Sequence, residues 1–349
     1  VGRYIADESI DTNVVLQNTL QFEKISSFKY VAPIGIDWNP NVYEHYCLLL
    51  QIAEETVTFD EVGLNIEEDT TIGENIVFSL SYENYLCKYK MTIENGKAVY
   101  TKVNGDNIRF INGNREESLE EFLEEIPMTI FYADDSMSYG VNYCAPKRKA
   151  EEIPNDLLST LNWENVNLAK ESQHSAPYEK DSIQYYMSQH IKYQYDYLID
   201  DDGSGEIADL VGINNSEHTI DITLYHLKFA RGGKVSNSIE NLYQVCGQAQ
   251  KSVRWKYYGG SKVFDHILKR DEIKKNKGES SRLLKGTIND ILKLREEASN
   301  KKELHYHVVI VQPGMSKTNC TPEMKILLGC TVQILHEQAN IDCRVICSI

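Results

Sequence analysis

The strongest constraint on the fold is a strand–helix–strand pattern near the end of the chain. Residues 306–311 (YHVVIV) form a continuous apolar run, and Val345 and Ile346 lie in a second one. Between them, Pro322 marks the start of a helix that extends to Gln338, because proline is favoured in the first helical turn. Two apolar strands joined by a helix are typical of parallel strands with a right-handed crossover. The pattern therefore predicts a mixed α/β domain.

Other segments of the second half carry the periodicities of helices and strands. Apolar residues at helical spacing predict helices, and short apolar or alternating runs predict strands. The helices are predicted over 182–192, 238–255, 262–269 and 281–298, and the strands over 195–199, 206–213 and 219–229. Together with the crossover, these elements predict an α/β domain over residues 151–349.

The first half is dominated by patterns of strands and turns. Residues 89–93 are predicted to form a strand, and Asn95-Gly96 after it is a turn signal for a hairpin. One helix is predicted over 118–126, where apolar residues recur at helical spacing before Pro127.

A chain of 349 residues suggests two domains, since one domain takes about 150 residues. The strand and turn patterns predict that residues 1–150 form a β-rich domain. No spacing in these residues is that of a catalytic motif, so the domain is expected to be accessory. The polar segment 147–180 is the expected boundary region.

Charge is distributed unevenly along the chain. The total is −16, from 36 Lys and Arg against 52 Asp and Glu, and it argues against a protein coated in nucleic acid over its whole surface. Residues 226–302, however, contain 18 basic and 8 acidic residues, a net charge of +10. The remainder contains 18 and 44, a net charge of −26. Contact with nucleic acid is therefore expected in that one segment.

Cysteine usage and hydropathy bear on the compartment. The eight cysteines are dispersed and include no Cys-x-x-Cys pair, which favours buried thiols in a reducing compartment such as the cytoplasm. No apolar stretch approaches the roughly 18 residues of a membrane span. We therefore expect a cytoplasmic protein with no membrane partner.

The densest carboxylate group is the segment 200–209 (DDDGSGEIAD). Read from Asp200, it approaches a calcium-binding loop, with acidic residues at positions 1 and 3 and glycine at position 6. Position 12 is Val211, where such a loop needs a bidentate glutamate. Calcium binding therefore stays a weaker alternative.

A second interpretation starts from Asp209 and the next predicted strand. His226 and Lys228 alternate there, so they are expected to project to the same side of the sheet. An aspartate on one strand of a hairpin and a lysine on the next suit phosphodiester hydrolysis. The carboxylate binds a divalent metal, and the lysine neutralises charge on the phosphate.

Asp209, followed by His226-Leu227-Lys228 on the next strand and then a helix, resembles the core of the PD-(D/E)XK, or restriction-endonuclease-like, nucleases. A longer set of strings is similar to the nuclease-type C-terminal regions of bacterial defence proteins that contain DEAD/DEAH-type helicases. These strings are residues 201–209 (DDGSGEIAD), 224–228 (LYHLK), 242–251 (LYQVCGQAQK), 311–314 (VQPG) and 345–348 (VICS).

The resemblance covers residues 182–349. It implies a restriction-endonuclease-like mixed sheet flanked by helices, and a metal-dependent endodeoxyribonuclease in antiviral (anti-phage) defence. A helicase or other defence subunit, fused or separate, is an expected partner, as is a second copy of the chain.

The resemblance also implies roles for single residues. Asp209 corresponds to the metal-binding aspartate, Lys228 to the catalytic lysine, and the carbonyl of Leu227 to a backbone metal ligand. His226 stands where the family most often has Asp or Glu. Because magnesium prefers oxygen ligands, manganese is an expected alternative cofactor to Mg²⁺.

Further residues are implied less directly. Glu206 is near enough to help bind the metal, although strict alternation puts it opposite Asp209 unless a bulge intervenes. Gln248 lies four residues after Gln244 and corresponds to a helix glutamine near the metal in similar nucleases. Family members also use an acidic residue from the preceding helix, and the predicted helix 182–192 contains none.

Basic and aromatic residues alternate directly after the predicted site. Lys251, Arg254, Lys256 and Lys262, interleaved with Trp255, are the candidate nucleic-acid-binding residues, and DNA is the expected partner. An alternative is a non-catalytic nucleic-acid-binding or assembly module with an eroded nuclease fold. The histidine at position 226 and the missing upstream carboxylate are the features that keep this alternative open.

Overall fold

A computed structural model describes residues 20–39, 42, 48–113 and 115–349. The chain divides into two compact units, Val1–Glu151 and Glu152–Ile349. The seven cysteines within the described residues form no disulfide, and Cys47 lies outside those residues. None of the described helices combines the length and apolar character that a membrane crossing requires.

Within its described residues, the first unit contains three antiparallel sheets and one short α-helix. Its elements are β1 (Leu20–Lys24), β2 (Pro33–Asp37), β3 (Leu48–Ile52), β4 (Glu55–Thr58), β5 (Gly63–Ile66), β6 (Ile76–Tyr82), β7 (Tyr85–Glu94), β8 (Lys97–Asn104), β9 (Ile108–Asn112), β10 (Arg115–Ser118), α1 (Leu119–Glu125), β11 (Thr129–Tyr132), β12 (Met137–Tyr139) and β13 (Asn142–Pro146). The sheet orders are β1-β13-β12-β11-β2, β10-β9-β3-β4 and β5-β6-β7-β8.

Local sequence explains two features of this unit. Asn95 and Gly96 adopt left-handed φ values of +52° and +74°, as a two-residue hairpin turn requires, and β7 pairs with β8 across them. Helix α1 begins with a capping box, in which the Ser118 hydroxyl accepts the Glu121 N–H at 3.2 Å. Both the predicted hairpin and the predicted helix are confirmed.

The second unit is built on one seven-stranded mixed sheet flanked by helices. Its elements are β14 (Leu158–Leu161), α2 (Ile183–Ile191), β15 (Tyr197–Asp200), β16 (Leu210–Asn215), β17 (Thr219–Leu227), α3 (Glu240–Lys251), α4 (Val253–Tyr257), α5 (Lys262–Asn276), β18 (Leu283–Lys285), α6 (Ile288–Asn300), β19 (Glu303–Ser316), α7 (Pro322–Ala339) and β20 (Asp342–Ser348). The strand order is β14-β20-β19-β17-β16-β15-β18.

The sheet has a parallel half and an antiparallel half. Strands β14, β20, β19 and β17 are parallel neighbours, so the predicted crossover from β19 through α7 to β20 is confirmed. Strands β17, β16, β15 and β18 are antiparallel neighbours. The sheet is therefore mixed, and β17 joins its two halves.

Side-chain alternation gives the sheet two differently covered faces. On one face, Met187 of α2 packs in a cluster with Leu227 and Val311, which point the same way from β17 and β19. Helices α3 and α7 pack against each other and against β19 and β20. The core of the unit thus holds the carboxyl end of β17 between helices.

Several predicted boundaries are wrong, each for a local reason. The helix predicted over 281–298 begins only at Ile288, because Gly286 has φ +97° and residues 283–285 pair as β18. The strand predicted over 206–213 begins at Leu210, after a turn.

The polar segment 147–180 is more than a boundary. Its residues 158–161 form β14, which pairs in parallel with β20 at one edge of the sheet. Trp163 is buried and donates its indole N–H to the Cys347 carbonyl at 3.3 Å. Low apolar periodicity concealed this strand, because an edge strand of four residues gives too short a pattern.

Candidate metal and phosphate site

The turn between β15 and β16, residues 201–209, positions most of the candidate site. Gly203 and Gly205 have φ values of +116° and +74°, a region that favours glycine, and they let the chain reverse tightly. Arg270 of α5 donates from Nε to Asp201 Oδ1 at 2.6 Å and from Nη2 to the Asp201 carbonyl at 2.7 Å. The turn is therefore fixed against α5.

These contacts contradict the calcium-loop alternative. The Asp200 carboxylate accepts hydrogen bonds from the side chains of Gln173 and Gln184, both at 2.9 Å. The chain then enters strand β16, whereas a calcium loop leads into a helix. Asp200 acts as a structural residue, bound by two amides.

Three carboxylates converge at this turn. One oxygen from each of Asp202, Glu206 and Asp209 lies within 4.8 Å of the others. Two reciprocal hydrogen bonds join Glu206 and Gly203. Glu206 Oε2 accepts the Gly203 N–H at 2.8 Å, and the Glu206 N–H donates to the Gly203 carbonyl at 3.0 Å. Because these residues precede the strand, alternation does not apply, and Glu206 and Asp209 lie together without a bulge.

Asp209 links the turn to the end of β17. Its Oδ2 accepts the N–H of Leu227 at 2.7 Å, so Leu227 enters the site through its amide. Gln184 of α2 donates to the Asp209 carbonyl at 3.1 Å. This glutamine of α2 thus helps to hold the backbone at Asp209 in place.

Lys228 follows the last residue of β17 and turns towards Glu171. Its Nζ donates to Glu171 Oε1 at 2.8 Å, and the other oxygen of Glu171 accepts the Phe229 N–H at 2.9 Å. The Lys228 ammonium also lies 5.5 Å from the centre of the Phe229 ring. One glutamate therefore fixes the direction of the lysine through two successive residues.

Replacing Glu171 with Gln is expected to lower the rate of any reaction that uses Lys228 by about tenfold to a hundredfold, because small misplacements of a catalytic group cost that much. The amide keeps one acceptor oxygen and loses the charge that binds the ammonium. Single-turnover cleavage rates measure the effect, with the exposed Glu164→Gln as the matched control. Equal rates for wild type and Glu171→Gln would contradict the positioning role.

Burial and mutual repulsion perturb the acidic group. Burial, together with the nearby Asp202, raises the pKa of Glu206 to about 8. Burial and the charges of Glu206, Glu171 and Asp202 raise the pKa of Asp209 well above its usual value. Burial opposes the charged form of Lys228, but Glu171, Asp209 and Glu206 outweigh it, so the pKa of Lys228 is raised. In their ionised forms, these carboxylates would carry more negative charge than this one lysine offsets.

The raised pKa of Glu206 has a consequence for stability. Its pKa of about 8 in the folded chain exceeds the ordinary value of 4.5, so the folded state binds this proton more tightly than the unfolded chain does. The stabilisation of the folded state by this bound proton is therefore fully present below about pH 4.5 and is lost as the pH rises towards 8. In chelator, the Tm of the wild type is expected to fall relative to that of Glu206→Gln over this range.

Thermal scans at several pH values measure that difference. Addition of Mg²⁺ is expected to reduce the fall, because a bound cation favours the ionised carboxylates. A Tm difference that stays constant with pH would contradict the perturbed titration of Glu206.

The structure does not bring His226 into the acidic group. Its Nε2 lies 2.7 Å from the Ser252 hydroxyl, at the junction of α3 and α4. Alternation along β17 explains this, because Leu227 faces α2 and its neighbour faces the opposite side. The strand ends at Leu227, so the expectation that His226 and Lys228 share a side is wrong. Burial and the charges of Lys251 and Arg254 lower the pKa of His226 to about 3.

Gln248 is at the site. Its Nε2 lies 3.4 Å from Glu206 Oε1, and its buried Oε1 accepts no hydrogen bond within the described residues. A buried amide oxygen without a partner beside carboxylates is a further oxygen donor for a cation or water. The group thus offers only oxygen donors, which is the set that Mg²⁺ and Mn²⁺ favour.

The predicted nucleic-acid-binding residues lie on and after α3. Lys251, Arg254, Lys256 and Lys262 are all half-buried, and the Arg254 guanidinium lies 5.2 Å from the Trp255 ring centre. Lys251 and Arg254 are close enough to His226 to affect its titration. This part of the predicted basic surface is therefore packed against the unit.

Two residues of the site were missed from the sequence. In the sequence, Asp202 stands only at position 3 of the possible calcium loop. The glycines at positions 203 and 205 are the signal for a tight turn that brings its carboxylate back towards Asp209. Glu171 carries no local signal, because its contact with Lys228 joins residues far apart in sequence.

Comparison of the chain with protein-family models, with curated proteins and with solved structures finds no match.

Proposed function

We propose that the second unit is a metal-dependent nuclease that hydrolyses phosphodiester bonds in DNA. The observation that carries the proposal is the convergence of Asp202, Glu206 and Asp209 within 4.8 Å, with Lys228 close enough to be affected by two of them. A carboxylate group beside a buried lysine is suited to holding a cation and a phosphate together.

The order of elements supports the proposal. A helix, three antiparallel strands and a helix, α2-β15-β16-β17-α3, carry Asp209 just before the second strand and Lys228 just after the third. After α4, α5, β18 and α6, strand β19 pairs in parallel with β17. This order is compatible with the restriction-endonuclease-like core that the sequence resembles. The defence role and the helicase partner belong to the same proposal and rest on that resemblance. The proposed cytoplasmic location rests on cysteine usage.

Each residue has a proposed task. Asp209, Glu206 and Asp202 would hold Mg²⁺ or Mn²⁺, with Gln248 Oε1 as a further oxygen donor. The bound ion would supply Lewis-acid stabilisation of the phosphate and a more acidic water. Lys228, directed by Glu171, neutralises charge on the phosphate oxygens. Because His226 faces Ser252, its imidazole has no part in this mechanism.

A cleavage assay tests the proposal. Supercoiled plasmid, single-stranded DNA and RNA are incubated with the full chain in Mg²⁺, in Mn²⁺ and in chelator. Metal-dependent cleavage of DNA is the expected result. Absence of cleavage of any of the three substrates under all conditions would contradict the nuclease proposal.

One observation favours a second candidate, a nucleic-acid-binding module without catalysis. Lys228 is already ion-paired with Glu171 at 2.8 Å, and position 226 contributes no carboxylate. Binding to DNA that weakens steeply with salt, without cleavage in either metal, would favour this candidate.

A further inference from the structure

A second group of ionisable side chains lies on the parallel half of the seven-stranded sheet. His305 and His307 alternate along β19, and strand register places Asp221 of β17 opposite His305 and Asp342 of β20 opposite His307. Residues two apart on a strand share a face, so both imidazoles lie on the face that α2 covers farther along, at Val311. All four side chains are partly exposed.

This group is separate from the acidic site. Asp221 lies six residues before Leu227 on β17, which corresponds to about 20 Å along an extended strand. The two groups therefore occupy opposite ends of the same strand. Neither the nuclease proposal nor the sequence patterns make use of these histidines.

The two histidine–aspartate distances within the group suit a shared cation. His305 Nδ1 and His307 Nε2 lie 3.4 Å and 3.7 Å from the same oxygen, Asp221 Oδ1. Both distances exceed those of good hydrogen bonds. They are close to the separation of about 3.3 Å between two ligand atoms of a tetrahedral zinc ion with bonds near 2.05 Å.

The second nitrogen of each imidazole also faces a carboxylate. His305 Nε2 lies 3.4 Å from Glu303 Oε1, and His307 Nδ1 lies 3.8 Å from Asp342 Oδ2. Metal-bound histidines characteristically direct their other nitrogen to a carboxylate, which fixes the tautomer and makes the ligand more basic. The arrangement thus provides both the ligands and their outer partners.

We propose that Asp221, His305 and His307 bind a zinc ion on the surface of the sheet, with Glu303 and Asp342 as outer partners. Two imidazoles and one carboxylate form a ligand set that zinc uses with a fourth, open position. The three groups do not all lie within 4.8 Å of one another, so binding requires one imidazole to turn. Exposed side chains make such rotations in picoseconds to nanoseconds.

Calorimetric titration of Zn²⁺ into the full metal-free chain tests the proposal. To separate this site from the acidic group, each variant is also made in an Asp209→Asn background. His305→Asn and His307→Asn are each expected to weaken zinc binding by at least about a hundredfold, and Asp342→Asn by about tenfold to a hundredfold. His174→Asn, an exposed histidine outside the group, is the matched control and is expected to bind like its parent.

Visible absorption of the Co²⁺-loaded chain gives a second readout that is independent of affinity. The bands of nitrogen-ligated Co²⁺ are expected to persist in Asp209→Asn and to disappear in both histidine variants, while circular dichroism shows that these remain folded. Unchanged zinc affinity in His305→Asn and His307→Asn would overturn the proposal. Absence of zinc binding by the Asp209→Asn chain would also overturn it.

Discussion

Replacing Asp209 with Asn is expected to lower divalent-dependent DNA cleavage by about a hundredfold to a thousandfold, the usual cost of losing one charge-stabilising group at a reacting centre. The amide oxygen can still accept the Leu227 N–H that Asp209 Oδ2 accepts at 2.7 Å, so the strand ends stay joined. The variant removes one negative charge from the metal-binding group. The expected loss is therefore in catalysis, with the fold retained.

Lys228→Ala is expected to lower divalent-dependent DNA cleavage by a similar factor, but for a different physical reason. The carboxylates remain, but the positive charge beside the phosphate is removed, so Mg²⁺ binding is retained while cleavage is lost. Single-turnover rates and calorimetric Mg²⁺ titration separate the two variants. The exposed Asp156→Asn and Lys293→Ala are matched controls within the same unit. Cleavage that survives both Asp209→Asn and Lys228→Ala would eliminate the proposed mechanism.

Replacing Arg270 with Ala is expected to reduce the free energy of unfolding by about 3–5 kcal/mol, the typical cost of breaking a buried ion pair from one side. Asp201 has no exposed side-chain surface, and Arg270 is 9% exposed. Burial raises the pKa of Asp201, but Arg270 and Arg282 outweigh it and hold the pKa below its usual value. The variant would leave a buried carboxylate whose remaining arginine partner, Arg282, lies 3.9 Å away.

For a unit of this size the expected fall in Tm is about 6–20 °C. Arg295→Ala is the matched control, because Arg295 pairs with Asp265 at 3.2 Å while both are 47% exposed. An exposed pair contributes at most about 1 kcal/mol. The double variant Asp201→Asn with Arg270→Ala is expected to recover part of the loss, since it also removes the stranded charge. Equal effects at Arg270 and Arg295 would show that the buried pair does not stabilise the turn.

Sequence patterns predicted the parts of the fold that depend on local chemistry. The crossover into β20, the hairpin turn at Asn95-Gly96 and the capped helix α1 follow from spacing, turn residues and caps. Patterns failed where pairing between distant segments decides the structure. Strand β14 exists because β20 offers an edge to residues 158–161, and β18 because β15 does the same for residues 283–285.

The residues of the candidate site likewise include some that local sequence predicts and some that it does not. Asp209 and Lys228 were identified because each adjoins a strand of one hairpin. The predicted placement of His226 on the same side as Lys228 is wrong because strand alternation ends at Leu227, the last residue of β17. The roles of Glu171 and Asp202 depend on tertiary structure. Glu171 contacts Lys228 from a distant loop, and Asp202 lies in a tight turn, and neither feature produces a periodic pattern in the sequence.

The edge strand β14 determines where this unit can be cut. A fragment starting at residue 182, where the sequence resemblance begins, would keep Asp209 and Lys228 but lose Glu171. It would also leave β20 with an unpaired edge, a template for association with other chains. A transplantable version of this unit therefore has to include β14 and Glu171, and fragments that lack β14 are expected to aggregate for reasons unrelated to their active-site chemistry.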